Sequence, residues 1–204
     1  MTPYLIGIVG GSGSGKSYTL NKLLDRLGSE HVAVVAQDNY YKPMEVQPKD
    51  PQGIQNFDLP ESMDFDALVS DISGLLEGKT IRRLEYGFNN PDKEDKWLVV
   101  EPRPIVIIEG IYVFHDKRID ERLDCRVFVD ANYPVMIRRR VLRDFKERGY
   151  NLDDVLYRYE NHVMPAYEKY IVPLRSTADI VIPNNGSLDV ALDVLSNHLK
   201  AQLA

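Results

Sequence analysis

Cysteine is nearly missing: the 204 residues contain one, Cys125. No intramolecular disulfide can form, and such a count suits a reducing compartment. Positive charge is also short, with 25 Lys and Arg against 31 Asp and Glu, a net charge of −6. That balance argues against a broad nucleic-acid or anionic-membrane surface. No apolar run approaches the ~18 residues of a membrane span. The opening, MTPYLIGIVGG, has no basic stretch ahead of its apolar residues and runs straight into glycines, so it reads as a first strand and not as a leader. Repeats and low-complexity blocks are absent. The expectation is a cytoplasmic protein with a small-molecule partner and neither nucleic acid nor membrane, long enough for one sizeable core.

What the chain does contain is a series of continuous apolar runs: Tyr4 to Val9, His31 to Ala36, Pro104 to Gly110, Arg126 to Asp130 and Ala178 to Pro183. They do not alternate with polar residues, so both faces of each strand are expected to be buried, as in a parallel sheet covered by helices. Between them, Leu20, Leu23, Leu24 and Leu27 hold one helical face. Leu188, Ala191, Leu192, Leu195 and Leu199 hold another, with Ser187 as its cap. Alternating strands and helices give a βαβ, α/β architecture with right-handed crossovers. Two turn-rich polar segments interrupt it, about Asn39 to Glu61 and Thr80 to Glu101. In a compact α/β domain such excursions are usually functional loops or lids.

The sharpest signal is GGSGSGKS at Gly10 to Ser17, which fits G-x-x-x-x-G-K-[ST] between a strand and a helix. Glycines there let backbone N–H groups turn inward around phosphate oxygens, and the helix N-terminus adds partial positive charge. Lys16 reaches the β- and γ-phosphates, and the Ser17 hydroxyl suits Mg²⁺. The ATP-binding candidates are Gly10, Gly11, Ser12, Gly13, Ser14, Gly15, Lys16, Ser17 and Tyr18. A guanine-reading N-K-x-D loop has no match: Asn21 and Lys22 lie inside the first helix and precede two leucines. DISG at Asp71 to Gly74 fits D-x-x-G only at a helix end.

Glu109 closes the apolar strand PIVIIEG, at the sheet edge where such folds bind ligands, so it is a metal candidate; the bland alternative is a helix cap. Asp38, just past the second strand, suits a general base and a place near the metal, or else a simple Asx turn. Tyr40 and Tyr41 fit either the core or a pocket wall. IRRRVLRDFKERG, from Ile137, concentrates arginine in an acidic protein. Arg140, Arg143 and Arg148 recur at helical spacing and could close on a transferring phosphoryl group; the alternative is a solvated helix with pairs such as Arg143 to Glu147.

Taken with QDNYYK, NFDLPESMDFDAL, IVIIEGIYVF, FVDANYPVMIRRRVLRDFKERG and YEKYIVPLRSTADIVIP, in that order, the chain resembles the uridine kinase family, among phosphoribulokinase and pantothenate kinase relatives. The resemblance covers about Tyr4 to Leu199. It implies one P-loop NTPase kinase domain over 1–204: a three-layer parallel-sheet fold with a β-hairpin excursion at 79–101 and a helical lid at 140–155. It implies homo-oligomers and Mg²⁺- and ATP-dependent phosphorylation of the 5′-hydroxyl of uridine, cytidine or a related nucleoside. Asp38 falls on the family's base, and Ser17 and Glu109 on its metal-associated positions. Tyr41, Phe57, Asp58, Tyr86, Arg140 and Arg158 fall on acceptor positions. Arg143 and Arg148 fall on its phosphate-binding lid.

The chain departs from the family at the acceptor. The hairpin pattern Y-D-F-x-x-H-x-R is YGFNNPDK here, so Pro91 replaces a histidine and Lys93 an arginine. Tyr150 replaces an arginine after the lid, and Arg158 stands where glutamine is common. Proline has no side-chain donor for a base carbonyl. Two alternatives therefore stand beside a nucleoside acceptor. One is a different alcohol, such as a sugar phosphate or a pantothenate-like or glycerate-like compound. The other is a non-catalytic nucleotide-binding regulator.

Overall fold

The computed structural model describes residues 2–88, 94–146 and 148–203. Pro91, Lys93 and Glu147 lie outside the described residues, so the hairpin-tip departures and an Arg143–Glu147 pair have no structural counterpart here. Among the described residues, no helix is long and apolar enough to cross a membrane.

Five strands form one parallel sheet in the order β2-β5-β1-β6-β7. They are β1 (Tyr4–Val9), β2 (Val32–Ala36), β5 (Ile105–Gly110), β6 (Cys125–Asp130) and β7 (Ile180–Pro183). β1 lies at the centre, with Tyr4 opposite Ile105 on one side and Ile6 opposite Cys125 on the other. The continuous apolar runs follow from two-sided burial. Leu5 and Val9 point into one core with Val106, Ile108 and Phe128; Ile6 and Ile8 point into the other with Ile105, Ile107 and Val127. The first core is closed by α2 (Phe65–Leu76) through Leu68, Ile72 and Leu75. The second is closed by α1 (Lys16–Leu27) and α7 (Asp189–Ala201) through Leu20, Leu23, Leu192 and Leu195. Full burial fails at β7, an edge strand: Ile182 is buried, but Val181 is exposed. Ser187 is displaced from its expected capping place. α7 begins at Asp189, and the Ser187 hydroxyl accepts the Asp189 N–H at 3.2 Å and donates to its carboxylate at 2.8 Å.

The excursion is an antiparallel pair, β3 (Ile81–Leu84) and β4 (Trp97–Val100), separate from the main sheet. It is pinned to α2: Arg83 donates to Asp71 at 2.6 Å and lies 4.3 Å from the Tyr40 ring centroid, and the Tyr40 hydroxyl donates to Asp71 at 2.8 Å. Asp71, the D-x-x-G aspartate, thus holds the hairpin, inside α2 and not at its end. The two adjacent tyrosines divide their roles, since Tyr40 is core while Tyr41 faces the cleft described below.

α3 (Lys117–Asp120) is a single turn after β5. The basic segment is two helices and not one. α4 (Tyr133–Lys146) ends before Arg148, Gly149 turns the chain at φ 68°, and α5 (Leu152–Arg158) restarts it with Asn151 as N-cap. Two π-helical stretches, Tyr159–Val163 and Tyr167–Ile171, follow, joined by α6 (Met164–Ala166).

Candidate active site

The turn from β1 into α1 is a cradle that only glycine fits at several points. Gly13 and Gly15 have φ of 82° and 98°. A Cβ on Gly10 would sit 2.3 Å from the Val129 carbonyl oxygen, and one on Gly13 would sit 2.4 Å from that of Met136. The cradle is held from outside. Asn184 donates to the Ser14 carbonyl at 2.7 Å, and Arg139 donates to the same carbonyl at 3.2 Å. Arg139 therefore ties α4 to the loop. A Cβ on Gly15 would meet Asn184 Nδ2 at 2.0 Å. Gly15→Ala adds this clash to left-handed strain of about 1–3 kcal/mol. Isothermal titration should show at least a tenfold loss of nucleotide affinity, with circular dichroism unchanged.

Lys16 folds back over the loop, donating to the Gly10 carbonyl at 3.0 Å and that of Gly11 at 3.3 Å. Desolvation pulls its ammonium below the ordinary value, opposed by the Glu109 and Asp38 carboxylates. Ser17 donates to Glu109 Oε1 at 3.5 Å. Burial raises the Glu109 carboxyl, and the Lys16 charge works against that rise. Asp38 sits in a one-turn helix, Gln37–Tyr40, at the end of β2. Buried Gln37 fixes that turn by accepting the Tyr112 N–H at 2.8 Å. The Asp38 carboxylate forms no hydrogen bond or ion pair with any described residue, so the Asx turn is not made among them.

On the other side, Tyr41 meets Phe57, Tyr86 and Phe88 with ring centroids 5.7, 5.3 and 5.6 Å away. Such edge-on and tilted contacts make a stiff aromatic wall. Asp58 is buried and pairs with Arg140 at 3.1 Å, and its carbonyl accepts the Tyr112 hydroxyl. Burial works to lower the Arg140 pKa, but the Asp58 and Asp144 carboxylates outweigh it and raise it.

One buried carboxylate gathers the arginines. Asp144 lies 3.1 Å from Arg140, 2.8 Å from Arg143 and 3.4 Å from Arg148. Arg148 also lies 3.9 Å from the Phe88 ring centroid, so the lid and the hairpin touch. Desolvation, then Arg143, lower the Arg148 guanidinium. The solvated-helix alternative therefore fails for Arg140, which is 9% exposed. Arg158 donates to the Gln55 carbonyl at 2.8 Å, lies 5.6 Å from the Tyr150 ring and has no carboxylate partner among the described residues.

These side chains line one cleft. It holds Ser12, Lys16, Ser17, Asp38 and Glu109 with Arg143 and Arg148. It also holds the acceptor candidates Tyr41, Phe57, Asp58, Tyr86, Arg140 and Arg158. Gly10, Gly11, Gly13, Ser14 and Gly15 shape the loop behind it. Tyr18 does not join it; its side chain is 56% exposed on α1, with Lys22 5.9 Å from the ring. Asp144, Gln37 and Ile111 belong to the site and went unread in the sequence. The only hint of Asp144 was an acid four residues after Arg140 in a basic run.

Residues 5–191 match the model of the phosphoribulokinase/uridine kinase family. A uridine kinase of Clostridium perfringens is 38% identical over 98% of this chain and 97% of its own length. One from Brevibacillus brevis is 36% identical over 97% and 92%. A uridine-cytidine kinase B of Dictyostelium discoideum is 31% identical over 99% and 83%. Among solved structures, a kinase provisionally ascribed to a fructose transport system of Silicibacter sp. TM1040 superposes with TM-score 0.70 at 21% identity, covering 88% of this chain and 89% of that one. A possible uridine kinase from Bacillus stearothermophilus gives 0.63 at 17%, covering 89% of each. At those identities the structural likeness speaks to the fold alone.

Proposed function

Because the chain belongs to the phosphoribulokinase/uridine kinase family, we propose that it transfers the γ-phosphoryl group of ATP to the 5′-hydroxyl of uridine, cytidine or a related nucleoside in the cytoplasm. The observation that carries this reading is the shared cleft, where a phosphate cradle and a carboxylate with no hydrogen-bond or ion-pair partner among the described residues face an aromatic wall. Asp38 orients the attacking hydroxyl and accepts its proton. Lys16, Arg143 and Arg148 stabilise negative charge on the transferring group. Asp58 accepts hydrogen bonds from sugar hydroxyls while Arg140 holds its carboxylate in place. Tyr41, Phe57 and Tyr86 offer π-faces to a base and keep water from the acceptor.

Magnesium fits the donor set. No cluster of three or more His, Cys, Asp or Glu occurs among the described residues, and Mg²⁺ commonly takes only one or two carboxylates besides water and phosphate. Ser17, Glu109 and Asp38 are the residues that would hold it; when bound, it neutralises charge on the phosphates.

An acceptor panel with coupled detection of ADP tests the proposal. Turnover of uridine or cytidine is expected, abolished when ATP is omitted. Turnover confined to anionic alcohols would instead favour a second reading, supported by Arg158, whose guanidinium lines the acceptor side without a carboxylate partner among the described residues. ATP binding with no acceptor turned over would favour a non-catalytic regulator.

A further inference from the structure

We propose that Asp50, Tyr157 and His162 are positioning residues, a clasp that fixes the width of the acceptor side of the cleft; this rests on the reading that Phe57 and Asp58 meet the acceptor. None of the three lines the cleft. They join its two walls from behind.

The two Asp50 oxygens have separate tasks. Oδ1 accepts the N–H groups of Gln52 and Ile54, each at 2.9 Å, and so closes the turn in which Gly53 adopts φ 81°. Oδ2 accepts the Tyr157 hydroxyl at 2.7 Å and lies 2.8 Å from His162 Nε2. One oxygen shapes the loop, and the other ties it to the helical segment. Arg158 adds a third tie through the Gln55 carbonyl. From this turn the chain passes to Asn56, whose amide donates to the Pro48 carbonyl at 2.7 Å and whose side chain accepts the Asp58 N–H at 3.0 Å. Phe57 and Asp58 therefore enter the cleft from an anchored loop. Opposite them, Val155 and Arg158 enter it from α5.

The helical side is built for this reach. Residues five apart lie on different faces of an α-helix, about 140° from each other. The i→i+5 stretch Tyr159–Val163 brings Tyr157 and His162 to the same carboxylate, with rings edge to face at 5.7 Å. Both ends of the tie are dry: the His162 side chain is 0% exposed and that of Asp50 6%. His162 Nδ1 has no hydrogen-bond partner among the described residues, and the Asp50 carboxylate can only accept, so Nε2 carries the proton that faces it. Burial works to raise the Asp50 carboxyl, and the bonds from Tyr157, His162, Ile54 and Gln52 outweigh it and hold it well below the usual range.

A loosened loop spends less time in the binding-competent position, and apparent affinity falls in proportion to that fraction. With the full-length protein, Tyr157→Phe and His162→Ala should raise the acceptor KM about tenfold, leaving kcat and the ATP KM within about twofold. His162→Gln, whose amide N–H has a similar reach, should restore most of the affinity. Tyr157→Phe keeps the ring and loses only the hydroxyl, so it guards against a mere folding defect. An unchanged acceptor KM in both variants overturns the proposal, as does an equal rise in the ATP KM. Hydrogen exchange without any ligand gives a reading independent of the acceptor: amides of 50–58 should exchange faster in Tyr157→Phe than in the wild type. Unchanged protection there overturns the clasp even if the acceptor assignment stands. Wild-type protein inert toward uridine and cytidine overturns the assignment while the exchange result still decides the clasp.

Discussion

Asp38→Asn should lower kcat by about 10²–10⁴, the usual contribution of a positioned general base. The amide keeps the shape of the side chain and cannot take a proton. The fold should not respond, because the Asp38 carboxylate forms no hydrogen bond or ion pair with any described residue. Its turn is held instead by Gln37, against which even a Cβ on Gly110 would collide at 2.3 Å. Single-turnover kinetics with saturating ATP measure the loss at the chemical step, and melting temperature serves as the control. Retention of most activity would remove Asp38 from the reaction.

Asp144→Ala should be the most damaging change to stability. It removes a buried carboxylate that lies within 3.4 Å of Arg140, Arg143 and Arg148. Breaking a buried ion pair by deleting one partner costs about 3–5 kcal/mol, because the remaining charge stays buried without compensation. For a chain of this size that is a fall of roughly 6–20 °C in Tm. Asp144→Asn separates the charge from the packing and should account for most of the drop. Inorganic phosphate should recover part of it, since an anion among the guanidinium groups replaces the lost carboxylate. A Tm within about 2 °C of the wild type would show that solvent already screens the cluster.

The legible parts of the molecule share a physical trait: they are local. β1 runs from Tyr4 to Val9 as the apolar run predicts, since a strand buried on both faces has no reason to alternate. The cradle is equally plain, because left-handed backbone at Gly13 and Gly15 restricts which residues fit. What stayed hidden depends on distant contacts. Asp144 reads as one more surface acid until α4 is seen to face the cleft. Arg148 reads as helical until the chain breaks at Gly149. The tie from Asp50 to His162 spans 112 residues, and no pattern in either segment announces it. Tyr18 shows the limit of nearness to the motif, which says nothing about which side of α1 a residue occupies: its side is the exposed one.

The central place of β1 has a consequence in time. Its neighbours in the sheet are β5 and β6, so Tyr4 waits for Ile105 and Ile6 for Cys125. At about 5–20 residues per second, a ribosome takes roughly 5–20 s to supply the first of these partners. The phosphate cradle hangs on the end of that strand, and it leans on Val129, Met136 and Asn184 as well. A nascent chain thus carries its most recognisable motif early and completes it late. Until β5 has been made, that apolar first strand has no ladder to join.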